Sequence, residues 1–222
     1  SGADPIAFLG DVDTITWIVE VKEAETVGSV KEVATLKELT DALADDSITT
    51  IQLTDDITGN IIISRDVNLD LGGFTLTGTG SGSVVAVKRG NINIDNGTIT
   101  GGKASEQGGG IYVAQNADVT LGANGTVSGN TAGTIEACRY GSGGGIYIAA
   151  GGSFALDGGT VQNNSALIDK AEAEHSGEGS GGGIYAAPGS TFVMKSGSII
   201  NNTATKKGGG ICFGVSVKTN SV

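Results

Sequence analysis

Basic residues, cysteine, histidine and long apolar runs are all scarce in this sequence, and each shortage closes off a class of function. Lys and Arg number 13 against 24 Asp and Glu, so the formal net charge is −11 over 222 residues. Nucleic-acid phosphates require a basic surface, and anionic lipid headgroups attract basic segments, so neither is an expected partner. No apolar run approaches the roughly 20 residues of a membrane span, so this segment is not expected to insert in a bilayer. One histidine, His175, and two cysteines, Cys138 and Cys212, do not form a metal motif. No signal peptide is visible either.

What the chain has in quantity is glycine, 39 residues of 222, well above the usual share of about 7%. The glycines sit at regular places in a repeat, which speaks against a disordered linker. An opening signature, Gly-Gly-Gly-Ile, recurs as Gly109-Gly110-Ile111-Tyr112, Gly144-Gly145-Ile146-Tyr147, Gly182-Gly183-Ile184-Tyr185 and Gly209-Gly210-Ile211-Cys212. A closing signature follows each full copy: Gly125-Thr126-Val127-Ser128-Gly129-Asn130, Gly159-Thr160-Val161-Gln162-Asn163-Asn164 and Gly197-Ser198-Ile199-Ile200-Asn201-Asn202, with a degenerate form at Gly97–Gly102. Successive closings stand 28, 34 and 38 residues apart. Most of that variation lies between the closing Ala and the next Gly triplet, which spans 3 residues after Ala104, 10 after Ala132, 14 after Ala166 and 3 after Ala204. Removing the excess leaves a unit of about 27 residues. Insertions at one fixed phase are what a solenoid tolerates, because they leave from one edge without disturbing the stack.

Within each unit the apolar residues alternate over three to five positions, as in Ile111-Tyr112-Val113, Val119-Thr120-Leu121, Phe154-Ala155-Leu156 and Phe192-Val193-Met194. Such runs, bounded by Gly, Asn and Ser, predict short strands, about three per unit. With no helix to cross back, the units stack most simply as a parallel β-helix with coils roughly 4.8 Å apart. Ile111, Ile146, Ile184 and Ile211 then form one inward ladder. In the closing signature, Gly101, Gly129, Asn163 and Asn201 share a position that suits a left-handed turn. Asn130, Asn164 and Asn202 follow it and predict a ladder of amide hydrogen bonds, with a polar binding groove as the alternative use of the same side chains. Asn-X-Ser/Thr at Asn96, Asn124, Asn163 and Asn201 is expected by coincidence in such a turn-rich repeat.

The paired signatures resemble those of right-handed parallel β-helix proteins of the pectate-lyase-like superfamily, and in particular the polymorphic outer-membrane-protein type of repeat of bacterial surface adhesins. That family pairs a Gly-Gly-Ala-Ile-like opening with a Phe-x-x-Asn-like closing. Here Gly replaces the Ala, and Val or Ile stands where Phe is usual, as in Val161-Gln162-Asn163-Asn164. The resemblance covers roughly residues 97 to 213. It implies an all-β, right-handed parallel β-helix and a secreted or cell-surface bacterial protein. It leaves the activity open, since this architecture hosts adhesins, polysaccharide lyases and glycoside hydrolases alike. Upstream, Thr35-Leu36-Lys37-Glu38 fits a capping box that starts a helix from about Leu36 to Ala44, placed to cover the open end of the stack. The domain reading is therefore 1–47, a strand segment with a capping helix, and 48–222, the β-helix, truncated at its C-terminus. Strand candidates run at Thr50–Leu53, Asn60–Ser64, Val67–Leu71, Phe74–Thr77, Val84–Val87 and Ile92–Ile94, with a further strand at Thr14–Val21.

Candidate site residues fall in two groups. If the ladder isoleucines point inward, Tyr112, Tyr147 and Tyr185 point outward in a column, suited to sugar rings or a partner protein, or to stacking on one another alone. The insertions Gly133–Ser142 and Leu167–Ser180 carry Arg139 and Tyr140 in the first, and Glu172, Glu174 and His175 in the second. Loops held on a rigid scaffold are where recognition usually resides. The acidic second insertion reads first as a solvated loop; it lacks the alternating Asp and Gly spacing of a dedicated calcium site, so no cofactor is expected and calcium remains only an alternative. Glycoside hydrolysis needs two carboxylates facing across a sugar. Asp118 and Asp157 are near that phase, but the Asp-rich and Arg-Ile-Lys-like patterns of polygalacturonases and the arginine-bearing patterns of pectate lyases are absent. The reading thus leans away from an enzyme and toward an adhesin-like module for a surface glycan or protein, with a structural stalk as a further alternative. Cys138 and Cys212 lie about two coils, or 10 Å, apart along the axis, so a disulfide needs the first insertion to bend along the stack. Oligomeric state is not legible.

Overall fold

The computed structural model describes residues 29–133, 141–168 and 179–214. The Thr14–Val21 strand, Cys138 and its pairing, and the insertion residues Arg139, Tyr140, Glu172, Glu174 and His175 lie outside the described residues. The described residues form a parallel β-helix with one short helix near their N-terminal end. Among the described residues every strand ladder is parallel, in three sheets of 11, 4 and 6 strands.

One face of the coil is the row β4 (Ile61–Ile63), β7 (Val85–Val87), β11 (Ile111–Val113), β15 (Ile146–Ile148), β18 (Ile184–Ala186) and β21 (Ile211–Phe213). The largest sheet supplies two further faces. Its first row runs β1 (Ser29–Val33), β2 (Ile48–Leu53), β5 (Val67–Asp70), β8 (Gly90–Asp95), β12 (Ala117–Leu121) and β16 (Ser153–Gln162). Its second row returns from β16 through β13 (Gly125–Ser128), β9 (Gly97–Thr100), β6 (Thr75–Thr77) and β3 (Ile57–Thr58). Strand β16 passes the corner between the rows without a break and so belongs to both, with β19 (Thr191–Ile200) paired on it. The four-stranded sheet is a short fourth side of two-residue strands, β10 (Lys103–Ala104), β14 (Thr131–Ala132), β17 (Ser165–Ala166) and β20 (Thr203–Ala204).

Alternation drives this arrangement. Ile111 pairs with Ile146, Ile146 with Ile184 and Ile184 with Ile211, so the ladder isoleucines superpose, and the first three are fully buried. Val119–Phe154–Phe192 and Val127–Val161–Ile199 form equivalent columns on the other faces. Each fully buried branched or aromatic side chain contributes roughly 1.5–3 kcal/mol by leaving water. In the last described coil the same inward positions have a neighbour on one side only, so Phe192, Ile199 and Ile211 are only partly buried and Met194 is 47% exposed.

The glycine triplet is explained by close approach. Its first member, at Gly108, Gly143, Gly181 and Gly208, has φ between +61° and +67°. A Cβ on the second, Gly144, would lie 2.3 Å from the Ser165 carbonyl oxygen and 2.5 Å from that of Gly182, so backbone fills the space a side chain would need. The closing signature behaves as its composition predicts. Gly101, Gly129, Asn163 and Asn201 all have positive φ. Asn130 Nδ2 donates to Asn164 Oδ1 at 3.0 Å, and Asn164 Nδ2 to Asn202 Oδ1 at 3.0 Å, while the backbone N–H groups of Asn130 and Asn164 donate to the same oxygens. Asn130 and Asn164 are buried within the turn, so their side chains are spent on the ladder and do not line a groove. All four Asn-X-Ser/Thr asparagines have positive φ, which accounts for their recurrence as turn residues.

The N-terminal helix α1 (Leu36–Ala44) begins with the capping box expected of it: the Thr35 hydroxyl accepts from Glu38 N at 3.2 Å, and the Glu38 carboxylate accepts from the backbone of Ala34 and Thr35. The Ala34 N–H and then the Thr35 hydroxyl hold the Glu38 carboxyl below its ordinary range. Leu39 and Ala42 are buried against the first coil. The other helix end is closed by a residue far away in sequence. The Arg65 guanidinium donates to the carbonyls of Ala42 at 2.8 Å, Leu43 at 3.0 Å and Ile48 at 2.6 Å, supplying the cationic partner that orphan C-terminal carbonyls favour.

Candidate functional site

The outward residues on the six-stranded face form one column: Ile62, Ala86, Tyr112, Tyr147, Tyr185 and Cys212, each paired with the next. The three tyrosines project away from the core as alternation requires, and their rings stack. Centroids are 5.6 Å apart with 5° between planes for Tyr112 and Tyr147, and 5.4 Å with 7° for Tyr147 and Tyr185. They do not stand free in water. Tyr112 and Tyr147 are half-buried and Tyr185 is only 8% exposed; stacking covers the ring faces, and Gly214 of the next coil lies against the Tyr185 hydroxyl. Burial first, and then the neighbouring Tyr185 and Tyr112 hydroxyls, push the Tyr147 phenol up to about 12. The Tyr185 phenol is also raised, chiefly by burial. The column is therefore neutral and apolar on its flanks, with hydroxyl tips that can donate or accept.

The two insertions are anchored beside this column. Ala132 pairs with Ala166 before them, and after them Ser142 bridges to Gln107 on one side and Ser180 on the other. The bases of both loops thus lie on adjacent coils along one edge, leading directly into β15 and β18. The five insertion candidates Arg139, Tyr140, Glu172, Glu174 and His175 fall beyond these anchors, outside the described residues. At the N-terminal end of the tyrosine stack is an open cleft lined by Ser83, Ala86, Lys88, Glu106, Gln107 and Tyr112, which sequence reasoning missed. Its signal was Ala86, the smallest residue of the column and the one directly before the tyrosines.

The two carboxylates considered for acid–base chemistry are placed otherwise. Asp118 is exposed on β12, opposite Ser153. Asp157 lies on β16 and its Oδ2 is 3.1 Å from Lys195 Nζ, in an exposed ion pair. Asp70 and Asp95 are cross-strand neighbours on β5 and β8, and partial burial, with repulsion from Asp70 behind it, raises the Asp95 carboxyl. Asp70 instead accepts from Gln52, Gly72 and Asn96, and Asn124 donates to Asn96, so these polar groups form a second surface ladder. Among the described residues no group of three or more His, Cys, Asp or Glu converges on a point. Cys212 is a free thiol at the end of the tyrosine column. No described helix is long and apolar enough to cross a membrane.

Residues 196–214 match the Chlamydia polymorphic membrane protein repeat. The matched stretch is a closing signature, a three-residue gap and an opening signature, that is, the uninserted form of the unit that recurs throughout the stack. No curated protein and no solved structure matches the chain.

Proposed function

We propose that this chain is the β-helical part of a bacterial cell-surface, adhesin-like protein that binds a glycan or protein through the tyrosine column and the two insertions beside it. The observation that carries this reading is the alignment of three stacked tyrosines with the anchored bases of both loops on one edge of a rigid solenoid. The half-exposed Tyr112 and Tyr147 offer aromatic contact at low entropic cost, and loops on a rigid frame supply selectivity. The repeat at residues 196–214 supports the outer-surface assignment, since the matching family is described as one of membrane proteins. On the resemblance of the paired signatures and the parallel coil we place the chain with the pectate-lyase-like superfamily, with adhesion rather than depolymerisation as its activity. Such a module needs shape and chemical complementarity and no cofactor.

The test is direct. Purified chain should bind at least one ligand in a broad panel of surface glycans and extracellular proteins, and should lose at least tenfold in affinity when both insertions are cut to 3 residues or when Tyr147→Ala opens the column. Binding unchanged by both changes would sink the reading. Release of new reducing ends or unsaturated products from polysaccharide, lost on Asp157→Asn, would instead establish an enzyme.

A further inference from the structure

The tyrosine stack stops where Ala86 interrupts it. Ile62, 63% exposed, and Tyr112 are the column's neighbours on either side, two strand spacings or roughly 9.5 Å apart. Between them Ala86 provides only a methyl group. The column therefore has a slot one coil high, at the same spacing at which the tyrosine rings already stack. The slot opens into a cleft of about 280 Å³, just below the range of drug-sized pockets and suited to one small ring.

The chemistry of the walls selects the ring. Tyr112 presents one face to the slot, and the exposed side chain of Lys88 lies over the ring, its Nζ 5.3 Å from the centroid. That contact is of the weak, exposed kind that an entering group can displace. Ser83, Lys88, Glu106 and Gln107 surround the aromatic floor with donors and acceptors. Among the described residues neither Lys88 nor Glu106 makes an ion pair. An aromatic side chain in this slot would offer the exposed Lys88 and Glu106 side chains no hydrogen-bond partner. A sugar ring brings an apolar C–H face to Tyr112 and hydroxyls to the rim. One ammonium and one carboxylate leave the slot without net charge, on a molecule of net charge −11, so a sugar carboxylate finds no electrostatic gain there.

We infer that the Ala86 slot is a binding subsite for a single neutral pyranose, seated on Tyr112 between Lys88 and the Glu106–Gln107 segment. This deepens the adhesin reading and rests on it. The ring continues the protein's own stack by one step, the Lys88 ammonium moves from the ring face to the sugar's hydroxyls, and Glu106 and Gln107 fix its orientation.

The experiment is calorimetric or NMR titration of the intact chain with cellobiose, lactose and N,N′-diacetylchitobiose, against digalacturonate and N-acetyltyrosinamide. Saturable binding of at least one neutral disaccharide is expected, with digalacturonate and the tyrosine amide at least tenfold weaker. Ala86→Tyr fills the slot with the protein's own ring and should reduce that binding tenfold or more without lowering Tm. Because an added ring can disturb the sheet, the double change Glu106→Ala with Gln107→Ala, outside the named strands, is the second test, expected to weaken binding fivefold or more. The subsite is overturned if no neutral sugar binds, if digalacturonate or the tyrosine amide binds best, or if both folded variants bind the sugar as the parent does. Surface-ligand binding that survives Ala86→Tyr but is lost on Tyr147→Ala removes the subsite and leaves the broader reading standing. Surface binding unaffected by Tyr147→Ala and by loop shortening removes that reading instead.

Discussion

Single residues in this chain act as members of columns, so a substitution is felt by the coils above and below. Ile146 is fully buried between Ile111 and Ile184. Ile146→Asp places an unpaired charge in a dry core and should cost several kcal/mol, of the order of 3–5; an unchanged thermal midpoint would contradict the observed register. Gly129 has φ +66°, and a β-branched side chain is a poor occupant of that region. Gly129→Val should lower stability by about 1–3 kcal/mol in chemical denaturation, and a variant as stable as the parent would show that the turn can adopt another conformation. Tyr147 makes a pH prediction. Its folded pKa, about 12, exceeds the ordinary 10.0, so its contribution is full below pH 10. Above that pH the unfolded chain releases its proton first, and stability declines up to about pH 12. Denaturation midpoints between these limits should fall less steeply in Tyr147→Phe than in the parent. Equal slopes would mean that this phenol is not shielded in the column.

At the scale of elements, the helix and the first coil depend on one another. Helix α1 has nine residues, too few to be stable alone, and no basic residue in its last turn. Arg65, a residue of the following coil, supplies that charge and three hydrogen bonds to carbonyls of the helix end and β2. Arg65→Met keeps the stem and removes the guanidinium; it should destabilise by about 2–3 kcal/mol, as expected for charge-assisted bonds in a part-buried site. Hydrogen exchange should show the loss concentrated in residues 36–53. Uniform protection in the variant would show that the helix is held by its apolar face alone. The capping box, by contrast, is local, and Thr35 and Glu38 announce it by type and spacing.

For the whole molecule, the question is which parts are scaffold. Two of the four gaps between repeats manage with 3 residues, and strand pairing continues across the inserted and uninserted gaps alike, from Gln107 to Ser142, Ser180 and Lys207. Shortening both insertions to 3 residues should therefore leave β circular dichroism and the cooperative transition intact while lowering the affinity for the surface ligand at least tenfold. Collapse of the β signal would make the loops part of the fold and remove the ground for assigning recognition to them.

The parallel coil, its inward ladder, the left-handed turns, the Asn ladder and the capping box were all legible in the sequence, because each is written in residues a few positions apart and then repeated. Alternation gives the strands, Gly and Asn mark the turns, and the constant unit around variable gaps gives the stack. Tertiary structure alone decided what the columns contain beyond the repeats. Arg65 reaches the helix end only because the coils superpose residues more than 20 positions apart. The tyrosines face outward as alternation demands, yet Tyr185 is almost wholly covered, since exposure is set by the neighbouring coils and not by the strand that carries it. Likewise Ala86 is an ordinary alanine until the register puts it beneath Tyr112 and above Ile62, where its missing ring becomes a slot. Local physics is written along the chain; burial, capping at a distance and clefts depend on which coils come to lie against one another.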